Sequence, residues 1–114
     1  MVFQKFGSFR IIAIVVLSLL AGCQSTGSDY GKGKISLSAG VQDFYTRYLE
    51  EPRPMIFAVS IDGRHANFTF CAAGKRCVDS TPFETIQYCE IRSKGIPCKV
   101  YAKGRLVVWE NPNG

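Results

Sequence analysis

Five cysteines carry the most versatile chemistry in this sequence, and they stand at positions 23, 71, 77, 89 and 98. A cysteine thiolate can bind a metal ion, act as a nucleophile or join a disulfide. Structural zinc sites place paired ligands about two to four residues apart. Here the spacings are six and nine, and no histidine lies nearby. We therefore expect disulfides and predict neither a metal nor another cofactor.

Catalytic candidates are few. His65 is the only histidine, and its possible roles are a general base or a ligand, but no serine or cysteine nucleophile motif accompanies it. It follows the Asp62-Gly63 turn on the strand face shared with Asn67 and Thr69, so we expect its side chain to face solvent. Glu84 and Glu90 are six residues apart and could form a carboxylate pair, although Glu84 is better explained as a helix cap. The sequence therefore predicts no catalytic residue and no enzyme.

Two further features could bind a partner. Lys75 and Arg76 form a basic pair at the tip of a cysteine-bounded loop, where the alternative is an ordinary solvated tip. Tyr101 and Trp109 could form an exposed aromatic patch, but in a domain of this size we expect them to pack in the core.

The N-terminal segment resembles an export signal. Lys5 and Arg10 precede an apolar run of eleven residues, Ile11 to Ala21. A helix of that length covers roughly half of the ~30 Å hydrocarbon core, which is too short for a stable span. The run ends at Leu20-Ala21-Gly22-Cys23, where small side chains suit a signal peptidase. An ordinary secretory signal cleaved near the same place is the alternative.

Leu20-Ala21-Gly22-Cys23 resembles the lipobox of bacterial lipoproteins. The resemblance implies cleavage before Cys23 and acylation of its thiol, which anchors the protein in membrane lipid. In that family an Asp after the cysteine favours retention in the inner membrane. Gln24 stands there instead, so we expect the periplasmic face of the outer membrane.

Acylation of Cys23 would leave four cysteines, an even number in an oxidising compartment. Four cysteines allow three connectivities. We favour Cys71–Cys77 and Cys89–Cys98, because each pair flanks one local turn.

The charge of the processed chain is mildly basic. The whole sequence of 114 residues carries a net charge of +5, and removal of Lys5 and Arg10 leaves twelve basic against nine acidic residues. A net charge of about +3 suits anionic lipid or cell wall, and it falls short of a nucleic-acid signal.

Three regions follow from composition. Residues 1–22 form the signal, 23–37 a lipidated cysteine and a Gly/Ser/Lys-rich flexible tether, and 38–114 one small domain stapled by disulfides. The domain should open with a helix capped by Ser38. The apolar residues of this helix are spaced i, i+3, i+4, i+7, i+8 and so share one face. Pro52 and Pro54 should end the helix. The residues of that face are Val41, Phe44, Tyr45, Tyr48 and Leu49.

Asp62-Gly63 lies between two apolar runs and predicts a two-residue type I′ hairpin. The expected register pairs Ile61 with Arg64, Val59 with Ala66, Phe57 with Phe68, and Met55 with Phe70. On the opposite face, Ser60 and Asn67 should tolerate alanine at a cost well under about 1 kcal/mol.

A second helix is predicted after Thr81-Pro82, with Thr81 as its cap, Glu84 completing a capping box, and Phe83, Ile86 and Cys89 on one face. A last hairpin splits at Lys103-Gly104, where two-residue and three-residue loops compete. The fold class is α+β in the order α-β-β-α-β-β. One or both helices should cover one face of a small antiparallel sheet.

The domain also resembles small exported proteins and lipoproteins of alphaproteobacteria. The shared segments are Phe57–Gly63, Cys89–Ser93, Pro97–Ala102 and Arg105–Trp109. These proteins mostly have no assigned activity, so the resemblance implies an α+β module with two disulfides and no catalytic residues.

The expected function is therefore a non-enzymatic binding or structural role at the envelope. The partners would be membrane lipid through Cys23, and an envelope protein or an anionic wall component, with no nucleic acid. The alternative is an inhibitor of a wall hydrolase such as lysozyme. The common lysozymes are basic, as this domain is, so their long-range attraction would be poor.

Overall fold

The computed structural model describes residues 28–78 and 81–114. The predicted signal 1–22, Cys23 and the first tether residues lie outside these ranges. The described elements are helix α1 (Ala39–Glu50), strands β1 (Pro54–Ser60) and β2 (Ala66–Phe70), helix α2 (Pro82–Arg92), and strands β3 (Cys98–Lys103) and β4 (Leu106–Val107). The α+β class and the order α-β-β-α-β-β are confirmed.

All four strands form one antiparallel sheet in the order β2-β1-β3-β4. The most apolar strand, β1, is central, and its residues from Ile56 to Ser60 are buried. Such burial on both faces explains why β1 reads as a nearly continuous apolar run.

The two helices lie on opposite faces of the sheet. On one face, α1 packs its Val41 and Tyr48 against Phe57 and Val59. On the other, Ala58 contacts Cys89 of α2. Successive strand residues point to opposite faces, so the alternation of Phe57, Ala58 and Val59 assigns one helix to each side. Of the two predicted arrangements, a single helix on one face is found and both helices on the same face are not, because the small Ala58 and Ser60 give β1 a second face that α2 can approach.

The predicted start of α1 is confirmed. Ser38 adopts an extended backbone, and its Oγ accepts a hydrogen bond from the Val41 N–H. The helix ends before Pro52. Tyr48 is fully buried, and its hydroxyl donates to the Gly104 carbonyl at 2.7 Å. Burial raises the pKa of Tyr48 well above its ordinary value, so this phenol remains a donor at any physiological pH.

Helix α2 differs from its predicted pattern. Thr81 occupies the N-cap position and Pro82 the first turn, but the Thr81 side chain makes no capping hydrogen bond, and Glu84 is exposed. Phe83 is 71% exposed, so its assignment to the packed face is wrong. Thr85 takes that place and pairs its hydroxyl with that of Thr69 at 3.2 Å. The buried contact is polar and therefore does not show in a hydrophobic pattern.

In the first hairpin, the central residue pairs agree with the predicted register, whereas the pairs at both ends differ from it. Val59 pairs with Ala66 and Phe57 with Phe68, as predicted. Phe70 pairs with Pro54 rather than Met55, because a bulge falls between Pro54 and Ile56.

The turn of this hairpin is a four-residue loop, 61–64, rather than the predicted type I′ pair. Of its residues only Gly63 has positive φ, at 73°, whereas type I′ requires positive φ at two residues. The Ser60 N–H donates to the His65 carbonyl, so these residues close the loop and the predicted Ile61–Arg64 pair does not form. A Cβ at Gly63 would lie 2.0 Å from the Ser36 carbonyl oxygen, so only glycine fits there.

The second hairpin has a two-residue loop, as one of the two alternatives predicts, but the loop lies one residue later than the predicted Lys103-Gly104. Ala102 pairs with Val107 and Lys103 with Leu106, which leaves Gly104 and Arg105 as a two-residue loop. Positive φ occurs at Gly104 and not at Arg105, the sign pattern of a type II′ turn. The Arg105 guanidinium donates to the carbonyls of Leu49 and Glu51, at the end of α1 where cations are favoured.

Residues 29–36, here called the strap, run extended along the domain. Asp29 and Gly31 exchange backbone hydrogen bonds with Val100 on the outer edge of β3. Gly31 and Gly33 pair with Glu110, and Ile35 donates to the Pro112 carbonyl. The flexible tether predicted up to residue 37 therefore does not describe the strap. Strap and β4 together cover the edge of β3, which would otherwise present unpaired backbone groups.

Trp109 fixes the strap from the side. The indole is 5% exposed, and its Nε1 donates to the Gly33 carbonyl at 2.7 Å. A Cβ on Gly31 would lie 1.9 Å from the indole ring, so only glycine fits at this position. Trp109 is therefore buried in the core, as predicted.

Candidate functional site

A groove of about 380 Å³ opens at one end of the domain, beside the start of β2. Its wall and floor come from α1, the β1–β2 loop, β2 and the last turn of α2. The lining residues are Gly40, Val41, Phe44, Arg64, His65, Ala66 and Arg92. Three of them carry basic side chains and none is acidic, so the groove is suited to an anionic group.

Arg92 is oriented by two contacts. Its Nη1 donates to the Ala66 carbonyl at 3.4 Å, and its guanidinium carbon lies 5.4 Å from the centre of the Phe44 ring. This stacking places the guanidinium at the boundary between α1 and β2. A guanidinium has five N–H donors, so one contact leaves donors for a ligand. The arrangement favours an oxyanion, which arginine can bind with two parallel hydrogen bonds.

The floor of the groove is apolar, and one side of it is a helix start. Phe44 is half-buried and lies 4.8 Å from the Phe68 ring, which fixes it against the sheet. Gly40 lies in the first turn of α1, where backbone N–H groups have no intrahelical acceptor. Those N–H groups add partial positive charge beside the two arginines.

A small polar network positions Arg64 and His65. Ser60 is fully buried, its Oγ accepts from the His65 N–H at 3.0 Å, and its hydroxyl is also bonded to the Asp62 carboxylate. The carboxylate in turn accepts from the Arg64 N–H at 3.1 Å. The Ser60 hydrogen bond is the main cause that lowers the pKa of Asp62 below its ordinary value. The network holds the loop that carries both basic residues.

The expected tolerance of Ser60 is therefore wrong, since its side chain is buried and hydrogen-bonded. We predict that Ser60→Ala lowers the free energy of unfolding by about 1–3 kcal/mol at neutral pH, because it leaves buried groups unpaired. The Asp62 pKa, lowered in the folded state, should move up toward its ordinary value. Urea unfolding and an NMR titration of the Asp62 carboxyl measure the two effects.

The pH dependence of that loss has a definite sign. A lowered folded-state pKa contributes stability above the ordinary value, and the contribution disappears as the pH falls through the lowered value. The difference between wild type and Ser60→Ala should therefore shrink in acid. Ser36→Ala, at an exposed serine, is the control and should cost less than about 0.5 kcal/mol. An unchanged Asp62 titration in Ser60→Ala would contradict the network.

The basic pair Lys75 and Arg76 lies away from the groove. Both side chains are exposed in the loop that follows β2, which the Cys71–Cys77 disulfide closes. The Cys71 N–H donates to the Arg53 carbonyl just before β1, so this loop is at the opposite end of the sheet. The Cys89–Cys98 disulfide also forms and joins α2 to β3.

The carboxylate pair does not form an acid–base site. Glu84 is exposed on α2, and the Glu90 Oε2 accepts a hydrogen bond from the Cys98 N–H at 3.1 Å. Glu90 thus helps to hold the start of β3. Within residues 28–78 and 81–114, no three His, Cys, Asp or Glu side chains cluster closely enough to hold a metal ion.

Sequence reasoning singled out only His65 among the basic groove residues, and it placed that side chain in solvent. In the structure His65 is half-buried and lines the groove. Arg64, Arg92 and Phe44 were missed because they come from separate elements. The one local signal was the position of Arg64 and His65 directly after Asp62-Gly63.

Comparisons with family models, curated proteins and solved structures find no match to this chain. Neither helix of the described segments combines the length and apolarity needed to cross a membrane. The resemblances to lipoproteins and to exported alphaproteobacterial proteins stay predictions.

Proposed function

We propose that the chain is an envelope lipoprotein whose domain binds an anionic partner and has no catalytic role. Cleavage before Cys23 and acylation of its thiol would hold the protein at the periplasmic face of the outer membrane. The partner would be an envelope component that carries a phosphate or carboxylate.

The composition of the groove is the observation that carries the binding role. Two guanidiniums and an imidazole surround an aromatic floor, and no acidic side chain lines the groove. The Asp62 carboxylate is close enough to interact with the charges of Arg64 and His65, so it reduces their field in part. Asp62 accepts from Ser60 and Arg64, and Asp43 forms an ion pair with Arg47 at 3.3 Å. The groove is therefore left with hydrogen-bond donors and a positive field, which can bind an anion.

The anchor is supported by the lipobox-like sequence Leu20-Ala21-Gly22-Cys23, and it would lie close to the domain. Four residues lie between Cys23 and Ser28, and the neighbouring Asp29 is hydrogen-bonded to Val100 of β3. Two or more acyl chains, each contributing about 0.8 kcal/mol per buried CH₂, hold a protein stably at a membrane.

We predict that Cys23→Ser abolishes incorporation of a palmitate analogue and leaves an unprocessed or soluble form. Metabolic labelling and membrane fractionation measure this result. Wild-type protein that is soluble and unlabelled would refute the anchor.

Gln24→Asp is the matched variant for location. It leaves Cys23 intact, so labelling should persist, while the protein should move from outer-membrane to inner-membrane fractions. Persistence in the outer membrane would refute the sorting part of the proposal and leave the anchor unaffected.

A further inference from the structure

The groove and the start of the strap lie at the same end of the domain. Ser60 pairs with Cys98 and Val59 with Ala66, so the end of β1 lies beside the starts of β2 and β3. The Ser38 N–H donates to the Gly63 carbonyl, which brings the start of α1 to this end. The Lys99 ammonium donates to the Ser28 carbonyl at 2.8 Å, which brings the strap there too. We call this the anchor end.

The chain between anchor and domain is short. The five Cα–Cα steps from Cys23 to Ser28 span at most about 18 Å when fully extended. The acylated Cys23 would lie at the level of the lipid headgroups, so the anchor end is the part of the domain that must stay closest to the membrane. β2, β1, β3 and the strap lie side by side, so the groove at β2 and Ser28 at the start of the strap are separated by three strand spacings, about 14 Å.

The exposed side chains of the anchor end suit a membrane surface. Arg64 and Arg92 are exposed in the groove, Lys94 is exposed just after α2, and Ile61 is 53% exposed on the loop between the groove and the strap. Asp29 and Asp62 are exposed at the same end, so these basic side chains outnumber the acidic ones by one. Each basic residue near an anionic leaflet adds a favourable electrostatic contribution, and an exposed isoleucine adds an apolar contact.

We propose that the groove of Arg64, His65 and Arg92 binds the phosphate of an anionic phospholipid headgroup in the leaflet that carries Cys23. Arg64 and Arg92 donate to the phosphate oxygens, and the backbone N–H groups at the start of α1 add to the field. The glycerol part lies against Phe44 and Val41. The domain is then docked on the membrane in one orientation. This inference rests on the proposed lipid anchor.

The test uses the acylated full-length protein in vesicles of phosphatidylcholine alone, or of equal parts phosphatidylcholine and phosphatidylglycerol. The readout is amide hydrogen exchange over residues 61–66 and 92–94. Exchange there should slow by roughly tenfold in the anionic vesicles, as expected for two arginines at an anionic surface. Exchange in the loop 72–76, at the opposite end, should be the same in both vesicles.

Arg64→Gln/Arg92→Gln should remove the protection, and Lys75→Gln/Arg76→Gln should keep it. The two variants lose the same charge at opposite ends, so a general electrostatic effect would move both. Arg64→Gln alone changes an exposed side chain without touching the Arg92 contacts, and it should lose part of the protection even where the double variant is unstable. Equal exchange of wild type in both vesicles, or protection lost only with the Lys75/Arg76 variant, would overturn the proposal.

Inorganic phosphate in solution gives the remaining control. Full protection by free phosphate on phosphatidylcholine vesicles would show a general anion site and overturn the assignment to lipid. Palmitate labelling reports on Cys23 separately. Labelled protein without lipid-dependent protection refutes the docking alone, whereas unlabelled protein refutes the anchor.

Discussion

Phe57→Ala should lower the free energy of unfolding by about 3–5 kcal/mol, the largest effect expected for a single substitution in this domain. The Phe57 ring is fully buried on the central strand, on the face that α1 covers. Five aromatic rings surround it with centroids within 6.3 Å, namely those of Phe44, Tyr45, Tyr48, Phe68 and Tyr101. Alanine would leave a cavity that rigid rings on a sheet and a helix can fill only in part.

Urea unfolding followed by circular dichroism measures this loss. Phe83→Ala is the matched control, because the same side chain is 71% exposed on α2 and its removal should cost less than about 1 kcal/mol. Similar losses for the two variants would contradict the face assigned to each phenylalanine.

Removal of the Cys89–Cys98 disulfide should cause the second large decrease in the free energy of unfolding. A loop of about ten residues gives roughly 2–3 kcal/mol in the chain-entropy account, to which the loss of packing is added. Cys89 on α2 and Cys98 on β3 are 0% and 2% exposed, and they form a buried cluster with Ala58 of β1. Cys71–Cys77 closes a loop of similar length, so its entropic contribution is close, but its loop tip is exposed.

Alanine variants separate the two bridges. Cys89→Ala, Cys98→Ala and their double variant should lose equal stability, since removing either partner opens the bridge. The loss should exceed that of the Cys71→Ala/Cys77→Ala variant, and peptide mapping without reduction should recover each pair. A mapped link between Cys71 and Cys89 or Cys98 would contradict the structure.

Local chemistry made part of this fold predictable. The Ser38 cap, the prolines after α1 and the position of the turn at Asp62-Gly63, though not its type, are determined by residues within a short stretch of the chain. Alternation around that turn also predicts the Val59–Ala66 and Phe57–Phe68 pairs. Both disulfides follow the same rule, because each closes a single local turn.

The rest depends on contacts between distant segments. β1 has a bulge at Met55 where it pairs with β2. The Met55 carbonyl accepts a hydrogen bond from the Gly104 N–H, which belongs to the second hairpin. The groove needs α1, the β1–β2 loop and α2 in place before Phe44, Arg64 and Arg92 meet. The spacing of these residues in the sequence does not indicate that they lie close together in the fold. Of the groove's basic residues, the sequence therefore identified only His65 as a candidate, and it predicted a solvent-exposed side chain where the structure has a half-buried one.

The contacts of the strap also constrain the order in which parts of the chain can fold. Trp109 and Gly33 are joined across 76 residues, so a chain synthesised from its N-terminus makes the strap early and its partners late. Contacts of such sequence separation form slowly, because a long loop must close first. Until residues 109–112 arrive, the strap lacks Glu110, Pro112 and the indole that hold it. The strap can therefore join the sheet only after residues 109–112 have been made, so it is among the last segments to reach its final position.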